Sequence, residues 1–479
     1  MNINQFSLIR LTVALLVIAA GATACDNHAA RVQSAFSKYQ AASASGDLRA
    51  TRNALLEMVA AEEDVADYWV ELSKVQIQLR AYPDAYYAAS RALELDRGNR
   101  EVLNILTQLA LRSGELDVAE KHAELLEMLA PDDLAVKITH GIIALRRGDL
   151  KRANGLADQI LAIQPGNSDA RILKSQIMVR EGRRGDAIAL LAAQVEASPG
   201  DILSHRALAS LYEQEDDRRR AAATRKSIWD LDRSNMDYAV NYIEAAFRAK
   251  DAAAARSASL SVMEGDAPPA VIEAVLEQWR KFWPGRARVD EARRLARDAG
   301  PGHKLVYAAF LNRVGAWSDA LPLVSADARL PVTAANIPPN TIMATSLFLS
   351  GKLAAAESRI ADILELDSDN VEALRTRVQL KLARGNPKGA IADARKTVSL
   401  EPGQARHRLL LADAFAANGD QRNVRRVLWE AFRDLPQQND EVYQSLRTLL
   451  SSVKDQPGVR SLDSEYAAQR QSGYLRDLT

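Results

Sequence analysis

Prolines recur at a fixed interval through much of this chain. Pro131, Pro165 and Pro199 are each 34 residues apart, and Pro402 and Pro436 repeat the interval late in the sequence. Arg97 and Arg233 hold the same phase on either side. Small residues keep step at Ala85, Ala119, Ala153, Ala187, Ala221 and Ala255; after a slip of phase, Ala356 and Ala390 continue the set, with Val424 next. A second set lies twelve residues earlier, at Ser73, Thr107, Gly141, Ser175 and Ala209, then Ala344, Val378 and Ala412. Such a period means one supersecondary unit copied many times, each leaving an apolar face that only its neighbour can cover. The length suits two helices of about a dozen residues and a tight turn. Gly46-Asp47, Gly114-Glu115, Gly148-Asp149, Gly351-Lys352 and Gly419-Asp420 mark the turns, because glycine takes the left-handed cap conformation without a Cβ clash. The small residues belong where two helices cross closely, and proline closes the second helix.

Composition narrows the class. Lys+Arg and Asp+Glu are both 62, so no basic surface for nucleic acid and no acidic solvating tail is expected. Hydrophobic residues are 47% and lean on Ala and Leu, which favour helices. The single cysteine excludes an intramolecular disulfide and any cysteine-based metal site. There is no GxxxxGK[ST] loop, G-x-G-x-x-G, HExxH or G-x-S-x-G. The histidines His28, His122, His140, His205, His303 and His407 are scattered, and His140 reads as a core residue. Carboxylate pairs such as Glu62-Glu63 and Asp132-Asp133 fall at helix ends, where capping explains them. No enzymatic activity, metal or cofactor is expected.

The periodic pattern resembles the tetratricopeptide repeat, best in residues 66–99, with Trp69, Leu72, Ala85 and Ala92 at consensus places. The resemblance implies an all-α, right-handed superhelix (an α-solenoid) of about twelve helix pairs. Units start at 32, 66, 100, 134, 168, 202 and 236, then, after a degenerate unit at 270–300, at 301, 337, 371 and 405. Pro268-Pro269, the cluster Trp279, Phe282, Trp283 and Pro284, and the prolines from Pro322 to Pro339 predict a kink near 265–340. The expected organisation is an N-terminal array (32–269), a degenerate joint (270–340), a C-terminal array with a capping helix (341–453), and a flexible tail (454–479).

The first residues read as a targeting segment (1–24): Arg10, an apolar run from Leu11 to Ala20, then small residues. Ala22-Thr23-Ala24-Cys25 resembles a bacterial lipobox, with Ala22 where leucine is usual. The resemblance implies a lipidated Cys25 on a short tether (25–31), facing the periplasm of a Gram-negative envelope. Ala22-Thr23-Ala24 is also an A-x-A site for ordinary signal peptidase, which would yield a plain secreted protein. Asp26 resembles an inner-membrane retention signal; the outer membrane is the alternative.

One polar column stands out. The thirteenth positions of successive units are Gln78, Arg112, Arg146, Arg180, Gln214 and Arg248, on the last turn of the first helix. The family resemblance puts first helices on the concave face, where Lys74, Asn104, Gln108 and Gln176 join the column as a candidate binding stripe. A ladder of guanidinium groups suits carboxylates or an acidic polymer. Arginine's preference for helix C-termini explains the same column without a ligand. Later units replace the column with an apolar row, Ile342, Phe348, Leu382 and Leu409. The expected function is a non-catalytic scaffold for envelope proteins or peptide segments, in an exopolysaccharide- or exosortase-linked setting. The alternatives are pilus or secretion assembly, and direct binding of an acidic polysaccharide or cell-wall polymer.

Overall fold

The structure, a computed structural model, describes residues 23–79, 81–265, 267–435 and 439–476. These form twenty-six α-helices and one 3-10 turn, with no strand among the described residues. The chain divides between Arg183 and Arg184 into two compact units. Unit 1 contains α1 (Thr23–Ser45), α2 (Leu48–Ala61), α3 (Ala66–Gln78), α4 (Tyr82–Leu95), α5 (Arg100–Ser113), α6 (Leu116–Leu129), α7 (Leu134–Arg147), α8 (Leu150–Ile163) and α9 (Ser168–Arg180). Unit 2 begins with α10 (Arg184–Ala197), α11 (Ile202–Gln214), α12 (Arg218–Leu231), α13 (Met236–Arg248), α14 (Ala252–Met263), α15 (Pro269–Phe282), α16 (Arg286–Asp298), α17 (Pro301–Arg313) and α18 (Trp317–Val324). It continues with α19 (Ile337–Leu349), α20 (Leu353–Leu366), α21 (Val371–Ala383), α22 (Pro387–Leu400), α23 (Ala405–Ala417), α24 (Gln421–Asp434), α25 (Asn439–Ser452) and α26 (Gln456–Arg476). Odd-numbered helices are the first of each repeat and even-numbered helices the second. Within each unit the pairs stack in a solenoid-like array.

The sequence period is visible in the chemistry of each turn. Gly114, Gly148 and Gly182 have φ of 83°, 82° and 80° and close α5, α7 and α9. One and two periods later Asp216 and Lys250 take the same left-handed conformation with a Cβ. First helices open on caps spaced by the same 34 residues: Asn99, Asp133, Asn167, Asp201 and Asn235 each accept a backbone N–H of the following turn. Each such cap contributes about 1 kcal/mol. The two small-residue sets are buried throughout, Ala85, Ala119, Ala153, Ala187 and Ala255 completely. At Gly141 a Cβ would fall 2.5 Å from Leu173 Cδ2, so the crossing of α7 and α9 is set by the missing side chain.

Three expectations differ from the structure. The predicted joint lies inside unit 2, where one apolar core runs unbroken from Trp229 to Val324. Its aromatic cluster is a packing device: Trp279 is fully buried, edge-on to Trp283 at 4.7 Å, and Phe282 stacks on Phe247 at 5.8 Å. The prolines there shorten α18 to eight residues, with Pro322 inside it. Residues expected to form a flexible tail make α26, packed through Val459, Leu462 and Tyr466 on the core of α24 and α25. That adds a thirteenth pair to the expected twelve. The expected tether at 25–31 is the first part of α1, where His28 Nε2 lies 2.8 Å from Ala61 O at the end of α2. Residues 1–22 and the side chain of Cys25 lie outside the described residues, so the targeting segment and the lipidation are expectations still. No helix among the described residues is long and apolar enough to cross a membrane.

Candidate functional site

The expected stripe is split between the two units. In unit 1, Lys74 is held by Glu71 at 2.9 Å and by Glu101 of α5 at 2.8 Å. Burial pushes its ammonium pKa down, but the hydrogen bonds to Glu101 and Glu71 outweigh this and keep it above the ordinary lysine value. Arg112 lies over the Tyr82 ring at 4.0 Å. Arg146 Nη1 donates to Leu111 O at 2.7 Å, tying α7 to the end of α5. Gln78, Asn104, Gln108 and Arg180 are exposed. Gln176 is only 6% exposed, because α9 packs on both α7 and α8, and it offers no surface to a ligand. Arg248 belongs to unit 2 and is bound by Glu244 at 2.8 Å. Several side chains of the column therefore serve contacts between or within repeats. His140 is buried as expected, its ring nitrogens 3.4 and 3.3 Å from Glu120 and Glu127.

Unit 2 carries a groove that the column did not indicate. It encloses ≈ 580 Å³ and is lined by consecutive first helices, from Glu273 on α15 to Arg406 on α23. Leu305, Val306 and Ala309 of α17 with Ile337, Ile342 and Leu349 of α19 form its apolar wall. Polar bonds between helices lie beside that wall. Asn312 Nδ2 donates to Ile342 O at 3.0 Å, Ser346 Oγ donates to Asn312 Oδ1 at 2.9 Å, and the Thr345 and Thr376 hydroxyls lie 2.9 Å apart. These bonds join α17 to α19 and α19 to α21, fixing neighbouring repeats in register.

Three arginines reach the groove. Arg313 pairs with Glu273 at 2.6 Å, Arg375 with Glu372 at 2.5 Å, and Arg406 lies 3.5 Å from Glu372. Burial would raise the Glu372 carboxyl, but Arg375, Arg406 and Arg313 outweigh it and hold the group below the usual carboxylate range. The same field reaches His407 beneath. Burial first, and then the charges of Arg406 and Arg375, push its imidazole down to about 4, so it is neutral at pH 7. The groove thus joins an apolar wall to a positively biased rim, suited to a segment with apolar side chains and a carboxylate.

The groove residues do have a periodic signature. Counted from 301, 337 and 371, the fifth positions are Leu305, Thr341 and Arg375, the sixth Val306, Ile342 and Thr376, and the ninth Ala309, Thr345 and Gln379. Sequence reasoning followed the thirteenth column and passed over these. Of the apolar row it did single out, Ile342 lines the groove, whereas Phe348, Leu382 and Leu409 are half-buried packing residues of the array.

Residues 144–211 match the family described as tetratricopeptide repeat. No curated protein matches the chain. Among solved structures, a tetratricopeptide repeat protein from Parabacteroides merdae is similar at 14% identity, over 55% of this chain and 98% of that one, with a TM-score of 0.37. A thermophilic repeat protein of the same kind from Thermus thermophilus is similar at 20% identity, over 38% and 98%, with a TM-score of 0.32. PilW, described as a widely conserved type IV pilus biogenesis factor, is similar at 17% identity, over 42% and 93%, with a TM-score of 0.30. At such scores these likenesses carry no argument about what the chain binds. Residues 144–211 thus carry tetratricopeptide repeats, and the 34-residue spacing of caps and turns and the all-helical array extend the same pattern beyond them.

Proposed function

We propose that the chain is a non-catalytic scaffold that holds a segment of a partner protein in the groove of α15–α23, and that it does so tethered to a membrane of the cell envelope. The groove carries this reading. It is assembled from the same positions of successive repeats, and it offers an apolar wall beside guanidinium groups. The tether rests on the sequence alone: Cys25 in its lipobox-like setting would receive diacylglycerol and further acyl chains, which anchor stably where one chain is marginal. Envelope assembly or export, in an exopolysaccharide- or exosortase-linked setting, is the context that the family resemblance favours.

Two measurements on native cells test this together. A C-terminally tagged chain, crosslinked and purified in detergent, recovers a defined set of envelope proteins, and R375E/R406E loses that set while keeping the helical circular dichroism. Cys25→Ser moves the chain from the membrane to the soluble fraction. An unchanged set with R375E/R406E removes the groove as the site; an unchanged distribution with Cys25→Ser removes the lipid.

A further inference from the structure

The first helices of unit 2 touch in succession, α13 to α15, α15 to α17, and onward through α19, α21 and α23 to α25. This row returns on itself. Arg280 Nη2, on the last turn of α15, donates to Glu441 Oε1 of α25 at 2.6 Å across 161 positions of sequence. Arg248 Nη2 on α13 lies 3.7 Å from Asp440 Oδ2, and α26 runs against α11. Glu273, which lines the groove, stands two turns before Arg280 on the same side of α15. The first helices α15, α17, α19, α21, α23 and α25 therefore form a closed ring of contacts that the Arg280–Glu441 pair completes, and its arc from α15 to α23 lines the groove.

The two sides of α25 are joined by different chemistry. Toward α24 the join is apolar: Val442, Leu446 and Leu450 are fully buried against the cluster that contains Leu428 and Phe432. Toward α13 and α15 two ion pairs cross the seam, and the side chains of Asp440 and Glu441 are 62% and 53% exposed. Exposed pairs of this kind contribute little and weaken with salt. Each arginine also has a second carboxylate on its own helix, Glu244 for Arg248 at 2.8 Å and Glu277 for Arg280 at 2.7 Å. Glu213 of α11, paired with Arg225 at 3.1 Å, adds to the negative charge around Arg248. When the seam parts, neither arginine is left without a counter-ion, Glu441 goes to water, and Asp440 keeps the Tyr466 hydroxyl of α26, which donates to its Oδ1 at 2.6 Å.

We propose that this seam is a gate: closed, it completes the ring whose arc lines the groove; parted, it admits a partner too bulky to thread the ring. The gate rests on the groove being the binding site, and its test is independent of any partner. In a Cys25→Ser chain, Gln379→Cys at the groove carries a short biotin linker, and streptavidin serves as a folded probe that needs room and no recognition. Capture is slow in the native seam at low salt. It becomes at least about tenfold faster in D440N/E441Q and in R248Q/R280Q, and raised salt speeds the native chain alike. Equal capture rates in the native chain, both variants and high salt overturn the gate. Unchanged circular dichroism keeps loss of fold from imitating opening, and the salt series needs no variant. A gate that fails here leaves the groove standing as a site, and a groove that captures no partner leaves this result unchanged.

Discussion

At the residue scale, the burial of His407 has a consequence for stability. The side chain is fully buried on α23, and neither ring nitrogen has a hydrogen-bond partner. With its pKa near 4 in the fold, against about 6.5 unfolded, the native state favours the neutral ring. Its contribution is fully present above about pH 6.5 and is lost progressively as pH falls toward 4, by up to about 3 kcal/mol. Thermal melts of the native chain and His407→Leu between pH 7.5 and 5 measure it. The native chain loses stability on acidification more steeply than the variant, and parallel curves contradict the assignment. His407 was visible in the sequence only as one of six scattered histidines. The small residues at Ala85 or Gly141 were legible because the same steric demand recurs in every repeat. A histidine's burial depends on what surrounds it in a single repeat, and no period reports that.

At the element scale, the last helix pair shows what makes a repeat readable. Earlier turns announce themselves with glycine, as at Gly385 and Gly419. Between α25 and α26 the left-handed position belongs to Lys454, φ 57°, and Asp455 N–H donates to Leu450 O behind it at 2.9 Å. The turn is of the same type without its usual residue, so the segment beyond it reads as a polar tail. Its apolar contacts are few, and Leu462 is the fully buried one among Val459, Leu462 and Tyr466. Leu462→Ala should therefore cost about 2–5 kcal/mol and release α26, measured as a drop in melting temperature and faster amide exchange over 456–469. A tail that never packed would show neither change. The prolines at 322–339 misled in the opposite sense. They shorten α18 and shape the loop after it, while the aromatic residues before them hold the core continuous.

At the scale of the molecule, the array is legible because repetition multiplies weak local signals, whereas the ends of a contact such as Arg280–Glu441 lie 161 residues apart with no period to link them. The groove falls between these cases: its columns are periodic, but their residue types change from Leu305 to Thr341 to Arg375. Such variation along one column is what a surface selected for a particular segment requires, and it blurs the very repeat that would reveal it. The central claim is that partners are held on the first-helix face of unit 2. Photo-crosslinking in living cells tests it most directly, with a benzophenone amino acid at Gln379 in the groove or at exposed Lys388 on α22. The account predicts discrete protein adducts from position 379 that vanish in R375E/R406E, and none from position 388. Adducts of equal yield from both positions, or from 388 alone, would contradict it.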